Sequence, residues 1–345
     1  MKIDRLGNSD LNVSEICLGT MTFGQQNTLE EAHQQLDFVI DSGVNFIDTA
    51  EMYPVPPQAE TQGRTSEYIG QWLVKQPRDK VVVATKISAF ASRLPWIRSA
   101  DRKLDRTNIE KAIDDSLKRL QTDYVDLYQI HWPDRYVTKF GSPSFDPQND
   151  RESVPILEQL QVFKDLIDAG KIRYLGLSNE TPWGICQFCS LADAMGLPRV
   201  VSVQNAYNLI NREFETTLAE TSYRENIPLL PYSPLAFGYL TGKHLDGTPE
   251  NSRLGLFPNF GRRYNKPNVQ VAIKEYVELA RQVGISPAQM ALAFVRTRWF
   301  VASTIIGATT LEQLRENIDS ASIELTDDIL DEIEKIHAKY PNPAP

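Results

Sequence analysis

The stretch that decides the fold runs from residue 172 to residue 204 and reads IRYLGLSNETPWGICQFCSLADAMGLPRVVSVQ. Residues 172–178 and 200–204 are short apolar runs rich in β-branched residues, which is typical of buried strands. Residues 183–195 have the apolar spacing of a helix, and Gly196 stands where a helix cap is wanted. Strand, helix and second apolar strand together predict a βαβ unit with parallel strands.

The same alternation continues in both directions along the 345 residues. Further strands are predicted at residues 16–20, 45–50, 81–87, 125–130, 228–232 and 303–306. Further helices are predicted at residues 29–41, 65–75, 108–120, 154–169, 214–225, 269–283 and 311–321. Eight βα units predict one domain over residues 1–345, an α/β (β/α)8 TIM barrel rather than an open sheet. A hairpin within residues 3–13 and two extra helices at residues 287–298 and 327–339 complete it.

Composition and charge argue against several classes of protein. The formal net charge is −9 and no long basic run occurs, so a nucleic-acid partner is not expected. No stretch is apolar and long enough to span a bilayer, and the N-terminus lacks the apolar segment of a secretion signal. We therefore expect a cytoplasmic protein with no membrane partner. The acidic surface and the absence of a heptad pattern favour a monomer.

The three cysteines, Cys17, Cys186 and Cys189, make an odd number. Cys186 and Cys189 form a C-x-x-C pattern, which in other proteins binds zinc or performs redox chemistry. Their neighbours have the spacing of an amphipathic helix. The favoured interpretation is therefore two helix residues with one or both packed inward.

Polar residues stand at the predicted strand ends, where barrels place their catalytic groups. Asp48 and Tyr53 lie at the end of the second strand, Lys86 at the third and His131 just after the fourth. Each alone has an ordinary alternative: a loop aspartate, a rim tyrosine, a solvated lysine or a hydrogen-bonded core histidine. The four residues are on three successive strands, which are neighbours in a barrel, so we interpret them together as one set. The irregular stretches 90–102, 133–151 and 237–266 also follow strands and are candidate walls of the site.

This set suits the reduction of a carbonyl group. A hydride delivered to the carbonyl carbon leaves charge on the oxygen, and a proton donor must meet that charge. We predict Tyr53 as the general acid, with Lys86 lowering the phenol pKa from its usual value of about 10. Asp48 would hold Lys86 in place and keep it charged, and His131 would orient the carbonyl.

Five segments carry a resemblance to a known family: CLGTMTFG at 17–24, NFIDTAEMY at 45–53, ATK at 84–86, DLYQIHWP at 126–133 and GKIRYLGLSN at 170–179. Over essentially the whole chain they resemble the aldo-keto reductase superfamily, most closely its bacterial Tas-like branch and more distantly the potassium-channel β-subunits. The resemblance implies a barrel that binds extended NADP(H) and a small-molecule carbonyl substrate. The absence of a G-x-G-x-x-G motif after a strand agrees with a cofactor site that has no Rossmann domain.

The resemblance also implies the cofactor contacts. Ser178, Asn179 and Gln204 are expected to bind the nicotinamide carboxamide, and Tyr232 to stack on the ring. The pyrophosphate is expected at the loop of residues 233–243, and the adenosine with its 2′-phosphate at residues 307–317. The residues expected to bind in these two segments are Ser233, Leu235, Gly238, Lys243, Gly307, Thr309, Gln313, Glu316 and Asn317. Thr309 or Thr310 is expected to cap the following helix.

Two departures from the family pattern bear on specificity. Gly307 and Gln313 stand where many members carry a lysine and an arginine for the 2′-phosphate. A loop arginine takes that role in related branches, and Arg253, Arg262 and Arg263 all remain candidates, so the preference for NADPH over NADH is open. The run at residues 54–62 is longer than usual, and its three prolines favour a stiff wall of the substrate pocket. Trp132 is a candidate for that pocket, with core packing as the alternative.

Two other functions were weighed against a carbonyl reductase. A redox sensor or regulatory subunit would bind NADPH tightly and turn over slowly, and the complete set of four residues favours chemistry instead. A metal-dependent hydrolase on the same fold needs several convergent ligands. The four histidines, His33, His131, His244 and His337, do not cluster at strand ends, so no metal site is predicted.

Overall fold

The computed structural model describes residues 1–98, 103–142, 144–258 and 260–345. Its strands are β1 (Ile3–Arg5), β2 (Asn12–Ser14), β3 (Ile16–Gly19), β4 (Phe46–Asp48), β5 (Val82–Ile87), β6 (Val125–Ile130), β7 (Ile172–Ser178), β8 (Val200–Gln204) and β9 (Thr304–Ile306). Its α-helices are α1 (Leu29–Asp41), α2 (Arg64–Leu73), α3 (Arg106–Leu120), α4 (Ile156–Asp168), α5 (Pro182–Met195), α6 (Glu213–Thr217), α7 (Ala219–Glu225), α8 (Arg253–Leu256), α9 (Pro267–Gln282), α10 (Pro287–Arg296), α11 (Leu311–Asp319) and α12 (Asp327–Lys339).

The central sheet is parallel and has the order β8-β7-β6-β5-β4-β3-β9. Residues 228–232 occupy the gap between its two ends. Leu229 makes parallel bridges to Val203 on one side and to Val301 on the other, and the amide of Ile305 donates to the carbonyl of Pro231 at 3.0 Å. The predicted barrel is confirmed. The strand predicted at 228–232 is reduced to isolated bridges because Pro228 and Pro231 have no amide hydrogen for the ladder.

Alternation along the strands sorts side chains between two cores. In β5, Val83 and Ile87 face the helices in the larger apolar cluster, whereas Val82 and Ala84 belong to a smaller cluster inside the barrel. Residue 86 shares the face of residues 82 and 84 because the side-chain period of a strand is two. This periodicity turns Lys86 inward at the C-terminal end of its strand.

The hairpin β1–β2 closes the other end of the barrel, as predicted. Ile3 of β1 pairs with Ser14 of β2 in antiparallel register. Leu6, Leu11 and Val13 are buried in the small interior cluster with Phe46 and Leu127. The hairpin therefore fills the barrel from the N-terminal ends of the strands and leaves the opposite mouth for a site.

The helices follow the sequence prediction with a few differences. The extra helices appear as α10 and α12, capped by Ser286 and Thr326. The helix predicted at 214–225 is two helices, α6 and α7, separated at Leu218. The loop predicted to be irregular at 237–266 contains the short helix α8. Of the irregular stretches, residues 99–102, 143 and 259 lie outside the described residues.

The C-x-x-C pair is part of helix packing. Cys186 is exposed and Cys189 buried on α5, and both thiols are free. Burial raises the pKa of Cys189 to about 12, the opposite of what a reactive thiol requires. Within the described ranges, no group of three or more His, Cys, Asp and Glu side chains is arranged to hold a metal ion. No helix described here has the length and apolar character that a membrane crossing needs.

Candidate active site

Asp48 and Lys86 form a buried ion pair at the C-terminal ends of β4 and β5. Both side chains point into the barrel, and Lys86 is fully buried. Lys86 Nζ donates to Asp48 Oδ2 at 2.5 Å and to the carbonyl oxygen of Thr49 at 2.9 Å. Its third bond, at 3.4 Å, goes to the hydroxyl of Tyr53. Hydrogen bonds therefore join Asp48, Lys86 and Tyr53 in that order, and the phenol of Tyr53 is the last group of the series.

Two glutamines complete the hydrogen bonding of Asp48. Gln129 Nε2 and Gln204 Nε2 donate to Asp48 Oδ1 at 3.1 and 2.9 Å, and Gln204 also donates to Gln129 Oε1 at 3.2 Å. Gln204 was expected to bind the cofactor, and no role was predicted for Gln129. A polar residue at the end of an otherwise apolar strand, facing inward, is the signal that could have identified Gln129.

His131 lies beside Tyr53 across the mouth of the barrel. The two ring centroids are 5.9 Å apart with an interplanar angle of 79°. The His131 amide donates to the carbonyl of Ile87 at 2.9 Å, and Asn179 Nδ2 donates to the His131 carbonyl at 2.8 Å. The structure thus brings together all four residues predicted as catalytic.

The net shift of the Tyr53 pKa is opposite to the prediction. Burial raises the pKa of the phenol above its usual value, and this outweighs the opposing charge of Lys86 and its hydrogen bond. The prediction of a lowered pKa was wrong because it counted the nearby charge and left out desolvation. Tyr53 consequently keeps its proton throughout the neutral range.

The other two titrating groups are held in fixed states. Burial alone would lower the pKa of Lys86, but the charge of Asp48 and the hydrogen bonds to Asp48 and Tyr53 outweigh it and the pKa is raised, so Lys86 stays an ammonium. Burial, with the charges of Lys86 and Arg93, lowers the pKa of His131 well below its usual value. A neutral imidazole next to a charged lysine and a protonated phenol is the resulting arrangement.

The residues expected around the nicotinamide form one hydrogen-bonded group. The Tyr232 hydroxyl donates to Asn179 Oδ1 at 2.7 Å, and Asn179 Nδ2 donates to Ser178 Oγ at 3.1 Å. Ser178 Oγ in turn donates to the carbonyl of Gln204 at 2.7 Å. These four side chains line the β7–β8 side of the mouth and connect to Asp48 through Gln204.

The loop expected over the pyrophosphate has an exceptional backbone. Ser233, Ala236, Phe237 and Gly238 all have positive φ, the last three in succession at 49°, 58° and 93°. Two amides of this turn are bonded within the loop, since Ala236 donates to the Ser233 carbonyl and Gly238 to the Leu235 carbonyl, both at 2.9 Å. A Cβ at Gly238 would lie 2.7 Å from Lys243 Cε, so glycine lets Lys243 pack on the loop. The carbonyl oxygen of Leu235 accepts hydrogen bonds from the amides of Gly238 and Leu240, and these bonds shape the turn.

Of the three candidate arginines, Arg253 lies beside this loop. Its guanidinium carbon is 5.4 Å from the Phe237 ring centroid, and its Nε donates to Gln26 Oε1 at 3.3 Å. Burial lowers the pKa of Arg253 to about 10, and partial burial together with the charge of Arg253 lowers the pKa of Lys243. Arg263 instead lies near the phenols of Tyr232 and Tyr264, and Arg262 is exposed.

The adenosine segment forms a compact corner at the start of α11. Thr310, one of the two expected caps, is the N-cap residue. Gln313 Oε1 accepts from the amide and hydroxyl of Thr309 at 3.1 and 3.2 Å, and Asn317 Nδ2 donates to the Gly307 carbonyl at 3.2 Å. Glu316 accepts from the Ser286 hydroxyl. These side chains bond to one another.

Trp132 packs between His131 and Phe140 of the loop after β6. It is 2% exposed, and its ring centroid is 4.7 Å from that of His131. Its Nε1 donates to the Phe90 carbonyl at 3.2 Å, and its ring meets Phe140 at 6.3 Å. Most of the Trp132 side chain is therefore buried in the core, and its ring packs against that of His131.

Glu51 and Arg98 form a second buried ion pair that the sequence analysis missed. Glu51 Oε1 accepts from the Ser88 amide at 2.6 Å and from Arg98 Nη2 at 2.9 Å. Both side chains are at most 3% exposed. The pair ties the loop after β5 to the segment between Asp48 and Tyr53. The signal in the sequence for this pair was Glu51, an acidic residue between Asp48 and Tyr53.

A family model described as the aldo/keto reductase family matches residues 15–338. The chain belongs to the aldo/keto reductase family. It is 50% identical to Protein tas of Escherichia coli (strain K12) over the full length of both chains. It is 43% identical to an aldo-keto reductase of Babesia bovis, with 76% of this chain and 98% of the relative covered.

A more distant relative is described by a different role. A probable voltage-gated potassium channel subunit beta of Arabidopsis thaliana is 32% identical, with 99% of this chain and 98% of the relative covered. This aldo/keto reductase is an oxidoreductase with the family's barrel, as the sequence resemblance implied.

Proposed function

We propose that this aldo/keto reductase reduces the carbonyl group of a small aldehyde or ketone to an alcohol, with NADPH as the reductant and Tyr53 as the proton donor. The observation that carries the proposal is the buried series in which Asp48 bonds to Lys86 and Lys86 bonds to Tyr53. Burying the charge of a lysine costs several kcal/mol unless its partners compensate. Packing alone therefore does not explain why the fully buried Lys86 contacts the hydroxyl of Tyr53.

The side chains account for the proton and the developing charge. When bound, NADPH supplies the hydride to the carbonyl carbon. Tyr53 donates its proton to the carbonyl oxygen, and the ammonium of Lys86 stabilises the phenolate that remains until solvent returns a proton. Asp48 keeps Lys86 charged and in place, and the neutral His131 orients the carbonyl.

The residues present fit a dinucleotide with phosphates. Gly238 lets Lys243 pack against the loop, and the charge of Arg253 contributes to the lowered pKa of Lys243, so two cations lie together beside this loop. We propose that these two side chains meet the cofactor phosphates, with Arg253 as the loop arginine for the 2′-phosphate. Ser178, Asn179, Gln204 and Tyr232 take the nicotinamide, and the corner from Gly307 to Asn317 takes the adenosine.

The test is reduction of a panel of aldehydes, ketones and quinones by wild type and Tyr53→Phe, with NADPH and NADH separately. We expect wild type to oxidise NADPH and the variant to lose roughly 10²–10⁴-fold in kcat, with the affinity for NADPH kept. Tyr223→Phe is the matched control, because Tyr223 is 70% exposed on α7. A Tyr53→Phe enzyme with normal turnover would remove Tyr53 from the mechanism.

One alternative is favoured by a relative. The resemblance to a potassium channel subunit beta supports a redox sensor or regulatory subunit that holds NADPH and turns over slowly. The same panel separates the two functions. If wild type binds NADPH and reduces no carbonyl, the sensor replaces the reductase.

A further inference from the structure

The loops after β5 and β6 carry three cations near the catalytic group: Arg93, Lys139 and Arg151, here called the basic rim. The guanidinium carbon of Arg93 is 6.0 Å from the Phe140 ring centroid. Phe140 meets Trp132 at 6.3 Å, and Trp132 lies 4.7 Å from the His131 ring. A continuous wall of aromatic rings therefore leads from the basic rim to His131.

The charges of Arg93 and Arg151 act on Lys139, and the charge of Arg93 acts on His131. The guanidinium carbon of Arg151 lies 4.9 Å from the ring centroid of Phe90, the residue whose carbonyl accepts the hydrogen bond from Trp132. Burial, followed by the charges of Arg151 and Arg93, lowers the pKa of Lys139. The charge of Arg93 also contributes to the lowered pKa of His131, after burial and Lys86. The basic rim thus converges on the mouth of the barrel.

The acids nearest to the basic rim already have other partners. Asp134 Oδ2 accepts the Val154 amide at 2.8 Å, and Asp150 Oδ1 accepts the backbone amide of Arg151 at 2.9 Å. Glu152 pairs with Lys103 at 3.6 Å. The guanidinium of Arg151 donates to the backbone carbonyl of Asp134 at 3.0 and 2.7 Å. Among the described residues, no carboxylate lies within ion-pair distance of the basic rim.

Many other cations of this acidic molecule are paired with carboxylates. The chain has 45 acidic and 36 basic side chains, and cations such as Arg78 and Arg135 are paired with carboxylates at 2.8 and 2.5 Å. Grouping like charges without counter-ions costs free energy, whereas an anion bound between them recovers it. A cleft lined by one sign of charge also concentrates oppositely charged ligands.

The basic rim lies away from the proposed cofactor phosphates. It belongs to loops after β5 and β6, whereas Lys243 and Gly307 follow residues 228–232 and β9. The sheet order places these two pairs of strands on opposite sides of the barrel. The loop after β6 meets the loop of residues 237–266 at Gly141, where an added Cβ would lie 3.2 Å from Arg263 Cβ. The basic rim is on the β5–β6 side of that contact, the side of His131 on which we place the substrate.

We propose that the basic rim binds a carboxylate carried by the carbonyl substrate, so that the enzyme prefers anionic aldehydes and ketones to neutral ones of the same shape. This inference rests on the proposed function and adds its substrate class. Arginine and lysine at the rim would orient the substrate through charge-assisted hydrogen bonds. The carbonyl would then reach Tyr53 and His131 along the aromatic wall.

The test compares two substrates of the NADPH-loaded enzyme, 4-carboxybenzaldehyde and its methyl ester, methyl 4-formylbenzoate. We expect wild type to show a kcat/KM about tenfold higher for the acid, as one charged hydrogen bond supplies. Arg93→Gln and Lys139→Gln should lower kcat/KM for the acid alone, chiefly through KM, and Lys139→Glu should favour the ester. Arg224→Gln is the control, since Arg224 is an exposed arginine on α7.

A second measurement uses wild type alone and does not depend on how the variants fold. Raising the ionic strength should lower kcat/KM for the acid and leave the ester unchanged, because salt screens exposed charges. Equal use of acid and ester at low salt, or variants that weaken both equally, would overturn the anionic preference and leave the reductase intact. Failure to reduce any carbonyl would instead overturn the proposed function and this inference with it.

Discussion

At the scale of single residues, the environment of a side chain decides its protonation more than its nearest partner does. Lys86 contacts Tyr53 at 3.4 Å, yet burial leaves the phenol pKa raised. The same burial lowers the pKa of His131. Desolvation always favours the neutral form, so it pushes an acid and a base in opposite directions.

The first prediction concerns the pH dependence of reduction. An acid with a raised pKa stays protonated up to that pKa, so kcat/KM should fall only above about pH 10. His131 has a lowered pKa and is neutral at and above its usual value, so no inflection should appear near pH 6.5. The measurement is kcat/KM for a neutral aldehyde from about pH 6 upward, with NADPH affinity followed in parallel.

Two results would contradict this prediction. A decline in kcat/KM beginning well below the usual pKa of tyrosine would mean that Lys86 outweighs burial once the cofactor is bound. An inflection near the usual pKa of histidine that His131→Gln removes would mean that His131 titrates in the working enzyme.

At the scale of elements, the helices depend on caps and on close backbone contacts. Thr28 caps α1 in a complete capping box with Glu31, and Thr310 caps α11. Caps are local and can be recognised in sequence. The approach of α2 to α3 is of another kind. A Cβ at Gly70 of α2 would lie 2.2 Å from the Arg119 carbonyl oxygen of α3.

The second prediction is that Gly70→Ala destabilises the protein. Alanine favours an isolated helix by up to about 1 kcal/mol, but here its methyl group must push α2 and α3 apart. We expect a net loss of about 1–3 kcal/mol in the free energy of unfolding, measured by urea denaturation. Gln71→Ala, at an exposed position one residue further on, should change it by no more than about 0.5 kcal/mol. Equal or greater stability of Gly70→Ala would show that the helix pair has room to spare.

At the scale of the whole molecule, the C-terminal segment is held to the segment after β8. The Ala344 amide donates to the Ile210 carbonyl at 3.0 Å, and the Arg212 amide donates to Asn342 Oδ1 at 2.6 Å. Arg212 Nη2 reaches Glu215 at 2.8 Å and Glu334 of α12 at 2.9 Å. The Arg212 side chain is only 4% exposed, so α12 is attached through a buried charge.

The third prediction follows from this attachment. Arg212→Met should lower the free energy of unfolding by about 3 kcal/mol, because it leaves Glu215 partly buried without its principal partner. Hydrogen exchange should accelerate in α12 before it does in the barrel strands. Lys335→Met is the control, since Lys335 forms an exposed pair with Glu332 that contributes less than about 1 kcal/mol. Unchanged exchange in α12 would show that apolar contacts alone hold the helix.

Local patterns predicted most of the architecture. The alternation of apolar strands with amphipathic helices predicted the barrel, and strand ends located Asp48, Lys86 and His131. These predictions hold because side-chain periodicity and capping depend on neighbours along the chain. The strand at 228–232 was the least regular because two prolines conflict with its ladder, a local signal that was present in the sequence.

The sequence by itself determined the barrel and which mouth carries the polar strand ends, since both follow from periodicity along the chain. Only the tertiary structure decided that Gln129 and Gln204 share Asp48, that Arg98 pairs with Glu51 and that burial reverses the expected pKa shift of Tyr53. It also decided that Phe140 and Trp132 connect Arg93 of the basic rim to His131. Hydrogen bonds between distant strands, desolvation and summed charge depend on everything packed around a residue, and no window of neighbouring residues contains that information.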